Sequence, residues 1–147
     1  MADTPPYVHV SYIEGAPEKV WGALTDPDLT ARYWGHSNVS DWRPGSTWEH
    51  RRTDGSGVAD VVGTVVENSA PHRLVITWAE PGSDPGPSRV TFTVEPYERI
   101  VRLTVIHEGL PPEAAEGAAD GWPAVLSNLK TFLETGAPLS SEPWSMP

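Results

Sequence analysis

Five histidines are the side chains of this chain best suited to bind a metal ion or to move a proton: His9, His36, His50, His72 and His107. Zinc sites built on one helix or hairpin show two histidines at close spacing with a carboxylate nearby. No pair here has the spacing His-x-His or His-x-x-x-His. We therefore expect no metal and no other cofactor, and we expect hydrogen-bonded or exposed histidines, while a site assembled from separate strands stays open.

Nucleophilic catalysis is the second chemistry that the residue types allow, because serine, histidine and aspartate are all present. The chain has no Gly-x-Ser-x-Gly motif and no cysteine, and no spacing places a base beside a nucleophile. The sequence therefore assigns no catalytic residue, and it favours a non-catalytic protein over an enzyme without deciding between them.

Two of the histidines fall in alternating patterns typical of strands. His107 continues the register of Leu103 and Val105, and Trp48 shares a face with His50, because alternate residues of a strand point to the same side. If that side is inward, His50 and His107 supply the few polar groups that orient a ligand in an apolar site. The alternative is a core histidine whose hydrogen bonds go to the backbone.

Aromatic residues could line such a site, although for any one ring ordinary core packing is the favoured interpretation. The case for a cavity is collective and includes residues of the last helix. The full set of candidate ligand-binding residues is Trp34, Trp48, His50, Trp78, Phe92, Leu103, Val105, His107, Ala118, Trp122 and Leu126.

The last predicted helix supplies the reason to expect a cavity. Residues 121–136 (GWPAVLSNLKTFLETG) carry an apolar stripe with a period of 3.6 residues, made of Trp122, Val125, Leu126, Leu129 and Leu133. Residues 112–120 (PEAAEGAAD) continue the helical pattern with no large side chain. A helix that is bulky at one end and small at the other leaves a hollow over the facing sheet, unless it sits closer there.

The remaining elements are a first strand at residues 7–14, two short helices, and a series of strands. The first helix begins at Pro17, and the second begins after Asp26 and ends near Trp34. Short turns between the later strands favour an antiparallel meander, at residues 47–52, 58–67, 73–79, 88–95 and 99–107. We expect one domain at residues 7–136, flexible ends at 1–6 and 137–147, and a mobile loop at 81–87. Either this loop or the short helices would gate the cavity.

Composition excludes several classes of partner. With 20 acidic against 10 basic residues the formal net charge is −10, which repels nucleic acid and anionic membrane surfaces. No apolar run reaches the roughly 18–20 residues needed for a membrane span. The N-terminus lacks a secretory pattern and cysteine is absent, so we expect a cytoplasmic protein without membrane insertion.

Three parts of the chain resemble a known family: residues 16–34 (APEKVWGALTDPDLTARYW), residues 63–78 (GTVVENSAPHRLVITW), and residues 103–110 (LTVIHEGL) with 121–136. They are similar to START-like helix-grip domains of the SRPBCC superfamily, and within it to homologues of the C-terminal domain of the activator of the Hsp90 ATPase. The resemblance covers residues 7–136 and consists mostly of packing and turn residues. It implies an α+β fold in which a curved antiparallel sheet of six to seven strands wraps around a long C-terminal helix, with two short helices after strand 1.

For function, the resemblance implies binding of a small hydrophobic or amphipathic molecule in an internal cavity between sheet and helix, by a non-catalytic carrier or sensor. Two alternatives stay open: a chaperone-associated interaction protein, and a cyclase-, dehydratase- or hydrolase-like enzyme that uses cavity histidines. The eukaryotic activator has an additional N-terminal domain that supplies much of its chaperone contact, and nothing in this sequence corresponds to it, which counts against a chaperone partner. A homodimer and a role in stress response complete the expectations.

Overall fold

A computed structural model describes residues 4–83, 86 and 88–147 of the chain. Its elements are β1 (Tyr7–Glu14), α1 (Pro17–Thr25), α2 (Pro27–Trp34), β2 (His36–Val39), β3 (Thr47–Arg52), β4 (Ala59–Ser69), β5 (Arg73–Thr77), β6 (Arg89–Tyr97), β7 (Ile100–Glu108), α3 (Pro112–Thr135) and a 3₁₀ turn at Pro143–Ser145. The seven strands form one antiparallel sheet in the order β1-β7-β6-β5-β4-β3-β2. This arrangement confirms the predicted α+β helix-grip fold.

The inner face of the sheet forms the core because apolar residues alternate with polar ones along the strands. Phe92 of β6 pairs with Leu74 of β5 on one side and with Val105 of β7 on the other. All three side chains are buried. Directly paired residues on neighbouring strands share a face, so these side chains form one apolar layer under α3.

Two short helices follow β1 and place Trp34 over one end of the sheet. The side chain of Asp26 accepts a hydrogen bond from the N–H of Asp28 at 2.9 Å, and Pro27 occupies the first turn, so α2 begins where the sequence predicted. Gly35 ends α2 in a left-handed conformation with φ +72°. Trp34 is therefore held at the last helical position.

Helix α3 has two unlike halves. The buried residues of this helix all lie at or after Trp122: Trp122, Val125, Leu126, Asn128, Leu129, Phe132 and Leu133. None of the residues from 112 to 121 is buried. Pro123 lies inside the helix, where it cannot donate the hydrogen bond that the carbonyl of Ala119 would accept. The C-terminal half thus anchors α3, and the N-terminal half rests over the sheet without filling it.

The ends and loops differ in part from the elements that the sequence suggested. Strand β2 was missed, because its four residues are short and largely polar (HSNV). After α3 the chain folds back: the N–H of Leu139 donates to Asn128 at 2.6 Å, and the Trp144 ring lies against Gly35. The expected gating loop at residues 81–87 includes residues 84, 85 and 87, which lie outside the described residues.

Among the described helices, none is long and apolar enough to cross a membrane.

Candidate functional site

A cavity of about 250 Å³ lies between the N-terminal half of α3 and the inner face of the sheet, and it is partly open to solvent. Its walls are Trp34, Trp78, His107, Leu110, Ala114, Gly117, Ala118, Gly121, Trp122 and Val125. Ligand pockets for drug-sized molecules begin at roughly 300 Å³, whereas a dry cavity of about 150 Å³ accepts benzene. The volume therefore suits a molecule of one or two rings.

The cavity exists because α3 presents glycine and alanine where other helices present large side chains. A Cβ atom added to Gly117 or to Gly121 would meet no atom within 4 Å. Close approach of the backbone to a neighbour is thus not the reason for glycine at either position. Their effect is to leave unfilled the space next to Ala114 and Ala118.

Three tryptophans meet at the cavity: Trp34 at the end of α2, Trp78 just after β5, and Trp122 in α3. The ring centroids of Trp34 and Trp122 are 5.4 Å apart, those of Trp78 and Trp122 are 5.6 Å apart, and those of Trp34 and Trp78 are 6.4 Å apart. Such separations are typical of aromatic contacts in cores. The walls are therefore both apolar and aromatic.

His107 stands in the wall as a neutral imidazole with both nitrogens occupied. The indole N–H of Trp122 donates to its Nδ1 at 3.1 Å, and Nε2 lies 2.8 Å from the hydroxyl of Ser88. Because an indole N–H only donates, Nδ1 must accept and Nε2 carries the proton that it donates to Ser88. Burial lowers the pKa of His107 to about 4. The ring fixes Trp122 and presents no free nitrogen to a ligand.

His50 belongs to a second group of polar residues on β2, β3 and β4. Its Nδ1–H donates to Asn38 at 2.5 Å, and its ring stacks on that of His36 with centroids 4.1 Å apart. Burial, together with the neighbouring His36, lowers the pKa of His50 to about 3. His36 is bonded to Asp60 at 2.8 Å, and Asp60 also pairs with Arg52. The hydrogen bonds of Asp60 with Arg52 and then with His36 lower the pKa of that carboxyl group.

The structure places the sequence-predicted residues in two groups. Five of the eleven line the cavity, namely Trp34, Trp78, His107, Ala118 and Trp122. The other six are buried in the core or in the His36 and His50 stack and do not line it, namely Trp48, His50, Phe92, Leu103, Val105 and Leu126. His50 and His107 do not converge on one site, because the Trp78 ring lies between them at 5.9 and 5.3 Å from their centroids.

Several lining residues were not among the candidates. Val125 had been assigned to the packing stripe of α3, and Leu110 stands just before the helix begins. Gly117 and Gly121 carry no side chain that could mark them as a wall, but the run of small residues at 112–120 was the available signal. Within the described residues, no group of three or more histidine, aspartate or glutamate side chains could hold a metal ion.

Comparison with known proteins gives a family and several similar folds. The family model described as "Activator of Hsp90 ATPase homolog 1-like protein" matches residues 14–134. Among the curated proteins, none matches this sequence. The structure is similar to protein MLL2253 from Mesorhizobium loti, with 27% identity, a TM-score of 0.74, and coverage of 88% of this chain and 96% of the other.

Two further structures share the fold at lower identity. The Aha1 dimer from Colwellia psychrerythraea is 22% identical with a TM-score of 0.75, over 90% of this chain and 98% of the other. CalU16 from Micromonospora echinospora is 21% identical with a TM-score of 0.72, over 89% of this chain and 77% of the other. At these identities the likeness concerns the fold alone.

Proposed function

The chain belongs to the family of activator of Hsp90 ATPase homolog 1-like proteins, and on that premise we propose that it binds a small apolar or amphipathic molecule under α3, as a non-catalytic carrier or sensor. The observation that supports the proposal is the aromatic cavity of about 250 Å³ beneath a stretch of helix that buries no side chain of its own. A ligand would complete the packing that Gly117 and Gly121 leave unfilled.

Burial of the guest's own surface supplies only part of the free energy that binding needs. An aromatic ring system loses roughly 150–250 Å² of accessible surface on burial. At about 25 cal/mol per Å² this gives roughly 4–6 kcal/mol before contacts with the cavity walls are added. Association costs at least about 4 kcal/mol in lost freedom, which roughly offsets this gain, so the net affinity depends on the contacts between the guest and the cavity walls.

Cavity filling tests the proposal. In Gly121→Leu the new side chain starts at a wall position where an added Cβ meets no atom. We expect titration with the two-ring hydrocarbon tetralin or its ketone 1-tetralone, followed by quenching of tryptophan fluorescence, to show saturable binding to the wild type and at least tenfold weaker binding to this variant. Gly22→Leu in α1 is the matched control, because Gly22 also lies in a helix with open space at its Cβ but away from the cavity. The proposal would be refuted if neither probe binds the wild type, or if Gly121→Leu binds the probes as tightly as the wild type does.

An enzyme is less well supported by the site. A general base in the cavity needs a free lone pair within reach of the substrate. Among the described lining residues His107 is the one with an acid–base group, and both of its nitrogens are hydrogen-bonded to protein groups. The His36 and Asp60 pair lies outside the lining. The cavity therefore favours binding over turnover.

A chaperone-associated role rests on the family description alone. The geometry of the cavity has no bearing on it. A pull-down with purified Hsp90-type chaperone, with bovine serum albumin as the control bait, tests this second candidate. Failure of the chain to bind the chaperone above the control would remove it.

A further inference from the structure

Four tryptophans in or beside the cavity differ in what their indole N–H groups bind: Trp34, Trp48, Trp78 and Trp122. The N–H of Trp48 donates to the carbonyl of Thr77 at 2.8 Å, and the N–H of Trp122 donates to His107 at 3.1 Å. Among the described residues, the N–H groups of Trp34 and Trp78 have no acceptor within hydrogen-bond distance. Both of these residues line the cavity.

The two unpaired donors are costly to cover with a purely apolar guest. Buried indole N–H groups ordinarily have a hydrogen-bond partner, and Trp34 is 9% exposed. Neither N–H is among the fully buried atoms that lack a partner, so each retains contact with the cavity or with solvent. A ligand that displaces water from such a donor and offers no acceptor leaves it unpaired, at a cost of about 1–3 kcal/mol.

The other walls do not supply the missing acceptor. Among the described residues, no aspartate, glutamate, lysine or arginine lines the cavity. His107 is neutral, and its one accepting nitrogen is used by Trp122. The side chains thus present aromatic faces and N–H donors, and they offer neither a counter-charge nor a free acceptor. A charged ligand would lose its hydration here without compensation.

We propose that the ligand of this cavity is an uncharged, flat molecule of one or two rings that carries an accepting oxygen, such as a ring ketone, for the indole N–H groups of Trp34 and Trp78. The inference rests on the proposed function, because it describes the guest of the same cavity. The aromatic walls select the rings, the volume limits their number, and the two donors select the oxygen.

A matched pair of probes separates this inference from the proposed function. Tetralin and 1-tetralone share two fused rings and differ by one carbonyl oxygen. We expect 1-tetralone to bind about tenfold more tightly, as one well-placed neutral hydrogen bond allows. The carboxylate 2-naphthoate should bind more weakly than 1-tetralone, because none of the described lining residues carries a positive charge.

Removal of the donors tests the residues. In Trp34→Phe and Trp78→Phe the aromatic wall stays and the N–H is lost, so the preference for 1-tetralone over tetralin should fall severalfold. Trp144→Phe is the control, because the N–H of Trp144 donates to Glu142 outside the cavity, and the preference should be unchanged. If a cavity variant does not fold, ¹⁵N NMR of the wild type replaces it: the indole N–H signals of Trp34 and Trp78 should move downfield with 1-tetralone and much less with tetralin.

The outcomes are distinct. Equal affinity for tetralin and 1-tetralone, or tighter binding of 2-naphthoate, would overturn the inferred ligand class and leave the proposed function intact. Binding of neither neutral probe would overturn both. Preference for the ketone that survives in both phenylalanine variants would show that the oxygen is recognised elsewhere.

Discussion

His107 shows at the scale of one residue how far sequence reasoning reaches. The alternation with Leu103 and Val105 predicted an inward side chain, and its burial bears this out. The pattern left open a polar anchor or a satisfied core histidine. The structure favours the second alternative, since Ser88 and Trp122 occupy both nitrogens of the ring although the ring lines the cavity. Ser88 lies just before β6 and Trp122 lies in α3, and no spacing along the chain could have predicted that they contact His107.

The two buried imidazoles make stability depend on pH. The pKa values of His50 and His107 fall in the folded state to about 3 and about 4, from an ordinary 6.5. Between those values the unfolded chain binds more protons, so their contribution is complete above pH 6.5 and is lost as the pH falls toward 4. Urea unfolding from pH 7.5 to 4.5 should show this decline. His107→Gln should show a shallower decline than the wild type, and an equal slope for this variant would contradict the assignment.

Gly63 of β4 is a position where glycine is required by a close contact. An added Cβ would overlap the carbonyl oxygen of Thr77 and crowd the indole nitrogen of Trp48, which donates to that same oxygen. We expect Gly63→Ala to lower the free energy of unfolding by about 3 kcal/mol. Gly86→Ala, whose Cβ would meet open space, should change it by less than about 0.5 kcal/mol in the same urea titration. Similar stability of the two variants would show that the contact relaxes at little cost.

At the scale of elements, the contrast between the halves of α3 governs the site. The stripe from Trp122 to Leu133 was readable from the sequence because large apolar residues recur every three or four positions. The small-residue half was readable as a place of weak packing. The sequence did not show which strand residues lie opposite this half, because that depends on the curvature of the sheet and on the position of α2 over its end.

Replacing a glycine of α3 by alanine should raise the stability of the protein and reduce the volume of the cavity. Gly117→Ala adds a methyl group in open space and replaces a poor helix former by the best, so we expect a gain of about 1 kcal/mol in unfolding free energy. Gly22→Ala in α1 should give a similar gain. Only Gly117→Ala should also weaken binding of 1-tetralone. Equal affinity of both variants would show that residue 117 does not bound the occupied space.

Hydrogen exchange should differ along α3. The amides of residues 113–120 belong to a half that buries no side chain, whereas those of residues 126–133 are anchored by Leu126, Leu129 and Phe132. Local opening requires less energy where few apolar contacts break, so we expect at least tenfold faster exchange in the first group. Exchange of the first group should slow when 1-tetralone is added. Uniform protection along the helix in the free protein would contradict the division into two halves.

At the scale of the whole molecule, the two periodicities predicted the order of most elements, and the resemblance to a known family supplied their helix-grip arrangement. In that arrangement the apolar stripe of the long helix is buried against the apolar face of the sheet. Strand β2 was not predicted because it has no alternating apolar pattern of its own. It is held in the sheet by pairing with residues 49–52 of β3. The stacking of His36 on His50 depends on that pairing, so it was not predicted either. Single-domain organisation, cytoplasmic location and a homodimer stay predictions.

Intermolecular nuclear Overhauser effects between 1-tetralone and the labelled protein test most directly whether a guest occupies the space under α3. The account predicts contacts from the ligand protons to the methyl groups of Ala114 and Ala118 and to the Trp122 ring, all of which line the cavity. Contacts confined to the exposed outer face of β1, at Val8, Val10 and Tyr12, would contradict it.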